Sequence, residues 1–255
     1  MLCMLACGMT IKAQVVYSEP PVIQQSSTGI VIYFNADEGN AGLKGVTSGV
    51  YAHTGVITSE SESSSDWKHV PTWLDNSDKY AMTYVSTDLW KLEIGDLKTY
   101  YELNEGETVT SIAFVFRDAA GNKQGKTAAG GDIFLDVYPD GLALNLTSSA
   151  SSSVLTDDNC KVSFTVNTTQ LSDISLHLND ANAAPFASVA DAVTLTSSYT
   201  FPVGDYDVIA KAVSGNSMML DTLQFCHRGE SVQANYGGTL KPGANKNADG
   251  SVTFS

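Results

Sequence analysis

The sequence predicts an all-β protein: two consecutive β-sandwich domains of immunoglobulin-like type, followed by the start of a truncated third. Three observations carry this. Short β-rich runs recur roughly every ten residues, with turn signals between them. Charged residues make up only 16% of the 255, and Ser, Thr, Gly, Asn and Ala take their place, which suits strands and turns better than salt-bridged helices. A single break at Pro139-Asp140-Gly141 divides the series in two.

The elements follow in order. Met1 to Met9 is apolar and Thr10 to Gln14 follows, so residues 1–14 read as a signal peptide cut near Ala13 or Gln14. Met4-Leu5-Ala6-Cys7 is a competing lipoprotein-type box, with Cys7 as the lipidated residue. Either reading exports the mature protein, to a secreted, periplasmic or cell-surface location. The positive n-region is missing, so the chain is expected to begin part-way into its leader. Residues 15–28 are a Pro-containing lead-in. Over 29–138 a first sandwich is expected, with strands at Gly29 to Phe34, Val50 to Ile57, Leu89 to Ile94, Val109 to Phe116 and Asp132 to Tyr138. Lys98 to Leu103 has the pattern of a short helix, and Arg117 to Asn122 that of a hairpin turn. In the Leu89 run, Trp90, Leu92 and Ile94 share one face and read as core.

The second sandwich is expected over 139–230, with strands at Leu142 to Leu146, Cys160 to Val166, Ile174 to Leu178, Ala192 to Thr196, Tyr206 to Val213 and Ser217 to Phe225. Tyr206 is placed as a corner residue. Ala181 to Ala192 gives a helical hint that Pro185 weakens. Residues 231–255 read as a Gly/Asn/Lys-rich linker and the first strand of the truncated sandwich.

Charge excludes several partners. The chain has 14 Lys and Arg against 28 Asp and Glu, a net charge of −14. Phosphate-coating proteins need clustered cations, so no nucleic acid is expected, and anionic lipid surfaces are disfavoured. After residue 14 no apolar run approaches the roughly 18 residues of a membrane span.

No catalytic constellation is visible, and no cofactor or metal is implied. His53, His69, His177 and His227 are scattered and share no metal-ligand spacing. Nucleophile-elbow, phosphate-loop and dinucleotide motifs are absent. Asp157-Asp158-Asn159 has calcium-type chemistry but reads as an ordinary loop. Outside the leader, Cys160 and Cys226 are the only cysteines; in an exported chain they form a disulfide or stay as buried thiols.

The informative residues are aromatic. Tyr51, His53, Trp67 and Trp73 lie in a polar, turn-rich region rather than in apolar runs. Tyr51 and His53 are two apart on one strand and share a face. Beside a Trp-bearing loop they form a platform against which the apolar face of a sugar can stack. Lys68, Asn76 and Asp118 are the neighbouring groups placed to hydrogen-bond hydroxyls. Trp67 follows a Ser-rich loop and reads as exposed; Trp73 reads equally as core or surface.

The Ile30 to Phe34 strand, Val50-Tyr51-Ala52-His53 before a loop ending in Trp67, Trp90 to Ile94, and Ile112 to Asp118 with its Gly-Asn turn resemble the starch-binding modules of bacterial amylases. The resemblance implies that Tyr51, His53 and Trp67 stack on an α-glucan; the family pattern carries Tyr where this chain has His53. The whole layout resembles the non-catalytic front end of secreted alpha-amylase-family enzymes of the Bacteroides and Prevotella type, whose catalytic barrel would follow. The expectation is therefore a non-catalytic region that binds starch-like polysaccharide or maltooligosaccharide for a hydrolase in cis. A purely structural immunoglobulin-like spacer is the alternative.

Overall fold

The structure is a computed structural model and describes residues 14–150, 152–156 and 160–228, with the backbone of 244–246 and 252–254. The leader with Cys7, the Asp157-Asp158-Asn159 triplet and most of the linker lie outside the described residues. The protein is nearly all strand. In the first half the elements are β1 (Val16–Glu19), β2 (Ile23–Gln24), β3 (Ile30–Asn35), β4 (Val50–Thr58), β5 (Thr83–Ser86), β6 (Leu89–Gly95), α1 (Leu97–Tyr101), β7 (Val109–Asp118), β8 (Gln124–Gly125) and β9 (Ile133–Tyr138). In the second they are β10 (Leu144–Ser148), β11 (Val154–Leu155), β12 (Lys161–Leu178), β13 (Ala187–Thr200), β14 (Gly204–Ser214) and β15 (Ser217–His227). A short antiparallel pair, β16 (Ala244–Lys246) and β17 (Val252–Phe254), ends the chain; β16 falls where a linker was expected.

The first sandwich packs a β1-β3-β6-β5 sheet on a β2-β9-β7-β4 sheet, with β8 paired to β7. Strict alternation builds it: β3 reads buried, half-buried, buried along its length, and Trp90, Leu92 and Ile94 are buried as the period-two pattern requires. The two sheets meet where Phe34 stacks on Phe116 at 4.0 Å. The expected helix is present as one short turn, α1. Asp96 caps it by accepting from the Thr99 amide at 2.8 Å, and Tyr101 reaches into the core to meet Thr54 Oγ1 at 2.7 Å.

The lead-in is more than a lead-in. β1 pairs with β3 and β2 with β9, so its residues extend both sheets. It also holds the break between the halves: Gln24 Nε2 donates to the carbonyls of Pro139 and Gly141, and Ser26 donates to Asp140. From the other side, Thr169 Oγ1 donates to the Gly141 carbonyl at 2.7 Å.

The second half departs from the predicted elements in three places. The Cys160 and Ile174 runs are one strand, β12, whose register shifts between Asn167 and Ile174. Its first part pairs with β10 and its second with β14, while β13 follows both. The shift lets Val162, Phe164 and Val166 face Ile174, Leu176 and Val208 across one core. The helical hint at Ala181 to Ala192 is overturned: Asp180 to Ala183 is a turn and β13 starts at Ala187, where pairing with β12 outweighs weak local alanine propensity. Tyr206 packs on Phe201 at 5.0 Å. Cys160 is buried and Cys226 is half-buried.

A Cβ added at Gly125 would drive into the Phe34 ring and meet Leu43. Gly125→Ala is expected to destabilise the first sandwich by about 2 kcal/mol through overpacking. Gly131→Ala, whose Cβ would meet only Thr127 Oγ1 at 3.4 Å, should stay near zero. Equilibrium urea unfolding of both variants checks this.

Candidate functional site

The residues singled out by sequence converge on the outer face of the β4-β7-β9 sheet. Val50, Ala52, Thr54 and Val56 of β4 point inward and are buried, so Tyr51 and His53 point out. β4 borders Arg117 and Val115 of β7, opposite Tyr51 and His53 respectively. Residues 67–76 then fold across this face. The Val56 and Lys68 backbones exchange hydrogen bonds of 3.0 and 2.8 Å. Gly55 makes that crossing possible, since a Cβ there would approach the Lys68 carbonyl at 2.9 Å and Val70 at 3.0 Å. The cover explains why β7 is buried on both faces from Ile112 to Arg117.

Arg117 is the residue that sequence reasoning misplaced. It was expected in a hairpin turn; it lies within β7 and is only 1% exposed. Its guanidinium donates through Nη1 to Asn76 Oδ1 at 2.7 Å and through Nη2 to the Asp75 carbonyl at 2.7 Å. It lies 5.3 Å from the Tyr51 ring and 5.6 Å from the Trp73 ring. Cation–π attraction is stronger where water is excluded. Burial pulls the Arg117 pKa below its ordinary value, and Tyr51, Asp75 and Asp118 oppose this.

Around this centre the rings assemble. His53 lies 4.8 Å from Trp73, edge to face, and 6.0 Å from Trp67, 30° from parallel. Trp67 meets the edge of Phe134, on β9, at 6.2 Å. Trp73 is 44% exposed; Tyr51, His53 and Trp67 are half-buried. The rings form a stepped surface instead of one flat platform. Phe134 was not singled out by sequence. Its signal was present, because Ile133 and Val137 are core residues and Phe134 alternates with them.

The three polar groups expected to meet hydroxyls already have partners. Lys68 Nζ pairs with Asp66 at 2.9 Å. Asn76 accepts from Arg117 and donates to the Ala119 carbonyl at 3.1 Å. Asp118 Oδ1 accepts the Asn122 and Lys123 amides and shapes the turn after β7. Asn76 and Asp118 thus support the site from beneath, a role that spacing alone does not reveal.

A second anchor holds the Trp-bearing segment. His69 Nε2 contacts Glu107 Oε2 at 2.8 Å, and the Glu107 side chain is 1% exposed. Burial pushes the Glu107 pKa up, but His69, the Asn104 amide and Thr58 outweigh it, and the net shift is downward.

Elsewhere, Ser175 Oγ lies 2.8 Å from His177 Nε2, while His177 Nδ1 donates to the Ala183 carbonyl. A backbone carbonyl, not a carboxylate, orients this imidazole, and the pair ties the 180–183 turn to the sheet. Among the described residues no group of three or more His, Cys, Asp or Glu is placed to hold a metal ion, and no helix is long and apolar enough to cross a membrane.

No family model and no curated protein matches the sequence. Solved structures do resemble it. Fibronectin(III)-like modules of Clostridium thermocellum CbhA align over 88% of this chain and 100% of theirs, at 10% identity and TM-score 0.28. A Bacteroides ovatus mixed-linkage glucan utilization protein, SGBP-B, in complex with a mixed-linkage heptasaccharide, aligns over 82% of this chain and 43% of its own, at 13% identity and TM-score 0.26. An amphioxus IgVJ-C2 molecule aligns over 80% and 98%, at 12% identity and TM-score 0.24. Likeness at this level carries no argument about function.

His53 gives a pH prediction. Burial, then Arg117, lowers its pKa from the ordinary value, against Asp132. The unfolded chain therefore takes up the proton first, and stability falls as pH drops below about 6.5. His53→Gln should flatten that part of the stability–pH curve and leave the fall below about pH 4.5, from Glu107, in place. Thermal melts from pH 8 to 4 check it.

Proposed function

We propose that the first sandwich is a non-catalytic carbohydrate-binding module that holds starch-like α-glucan by ring stacking, and that it serves an alpha-amylase-family hydrolase in cis outside the cytoplasm. The observation that carries this reading is the assembly of Trp73, His53 and Trp67 on one sheet face, with Trp73 44% exposed. A tryptophan held edge-on by a histidine and braced by a buried cation is a rigid apolar surface, and ring rigidity lowers the entropy lost when a ligand docks. The resemblance of the β3, β4, β6 and β7 segments to starch-binding modules supports α-glucan over other glycans. The second sandwich then serves as a spacer, and tethering raises the local concentration of polymer at the hydrolase. Few rings and exchangeable polar contacts make for weak binding, with a dissociation constant of roughly micromolar to millimolar.

Affinity electrophoresis in soluble starch tests this. The parent chain should be retarded, and Trp73→Ala should lose at least about tenfold in affinity, near 1.4 kcal/mol. Trp67→Ala should also weaken binding. A chain that migrates unretarded in starch, pullulan, dextran and xylan would be a spacer instead.

A further inference from the structure

We infer that Phe134 is the far end of the ring surface and that this surface takes an uncharged chain of at least four sugar residues, not a single sugar; the inference rests on the carbohydrate reading above. The rings succeed one another across strands: Trp73 to His53 at 4.8 Å, His53 to Trp67 at 6.0 Å and Trp67 to Phe134 at 6.2 Å. Each step is comparable to the length of one hexose. The row runs from the residues covering β4 and β7 to β9, so a ligand that touches both ends must be a chain.

Phe134 packs on Trp67 and still leaves part of its ring open. It is 39% exposed and stands opposite Ala113 of β7, whose methyl group cannot cover it. Its inward neighbours Ile133 and Val137 already supply the core. An apolar ring left open beside two tryptophan-bearing steps adds to one continuous surface.

The charges beside it set the ligand class. Asp136 follows Phe134 on the outward row of β9, and Asp132 lies just before the strand. Asp132 is only loosely paired, at 3.7 Å from Lys126. Carboxylates accept hydrogen bonds from sugar hydroxyls and repel a uronate chain.

Isothermal titration of the full chain with maltotriose and maltoheptaose tests this, using the parent, Phe134→Ala, Phe134→Leu and Trp73→Ala. The parent should bind maltoheptaose about tenfold more tightly than maltotriose. Both Phe134 variants should lose roughly fivefold for maltoheptaose and nothing for maltotriose, while Trp73→Ala loses both; circular dichroism reports whether each variant is folded. Parent-like maltoheptaose affinity in folded Phe134 variants overturns the inference and leaves the module reading intact. A parent that binds neither sugar overturns both. An oligogalacturonate of seven residues should not bind; affinity equal to maltoheptaose overturns the assignment to uncharged chains.

Discussion

The candidate site depends on one buried cation. Arg117 brings a charge into the space between the β7 surface and residues 67–76 without a carboxylate hydrogen-bonded to it. Three oxygens and two ring faces stand in for water. A lone buried charge is costly, and Nε is left without a hydrogen-bond partner, so the remaining contacts carry the compensation. The guanidinium thereby ties the conformation of Asp75 and Asn76 to the positions of Tyr51 and Trp73. A planar fork of donors with faces that stack is what the location requires, and lysine offers neither.

Cover and exposure are balanced around that cation. Gly55 lets the Lys68 and Val70 backbone lie against the sheet, and Gly121 leaves room for Trp73 and Leu74, whose atoms would lie 3.1 and 2.7 Å from a Cβ there. The His69–Glu107 contact fixes the middle of the same segment. The segment is thus held at both ends and in the middle, and its two tryptophans stay partly open. The result is a sheet face that carries partly open rings on an anchored segment. His53 pays in part for its place, since its Nδ1 is buried without a hydrogen bond.

The second sandwich is built around one long strand. A continuous β12, whose register against β13 shifts between Asn167 and Ile174, joins β10 along its first part to β14 along its second within one six-stranded sheet. The Pro139–Gly141 break is held from the first half by Gln24 and Ser26 and from the second by Thr169. Hydrogen bonds from both directions stiffen that connection more than its Pro-Asp-Gly composition suggests.

Much was legible in the chain itself. Period-two alternation placed β4 and β6 and named Trp90 as core, and β-rich runs between turn signals placed β3, β7 and β9, because both are local properties of the chain. Aromatic residues in polar surroundings pointed to Tyr51, His53, Trp67 and Trp73, and these do meet. What the sequence could not decide is which neighbours each side chain acquires. Arg117 sits before a turn signal and reads as surface; only the crossing of residues 67–76 buries it. Asn76 and Asp118 look like free polar groups until Arg117 and the turn amides claim them. The two runs of β12 look separate because the bulge interrupts their alternation, and only pairing with β13 joins them. Local pattern determined the strands and the ring residues; long-range packing decided that Arg117 is buried and Asn76 engaged, because their partners lie 41 and 42 positions apart in the chain.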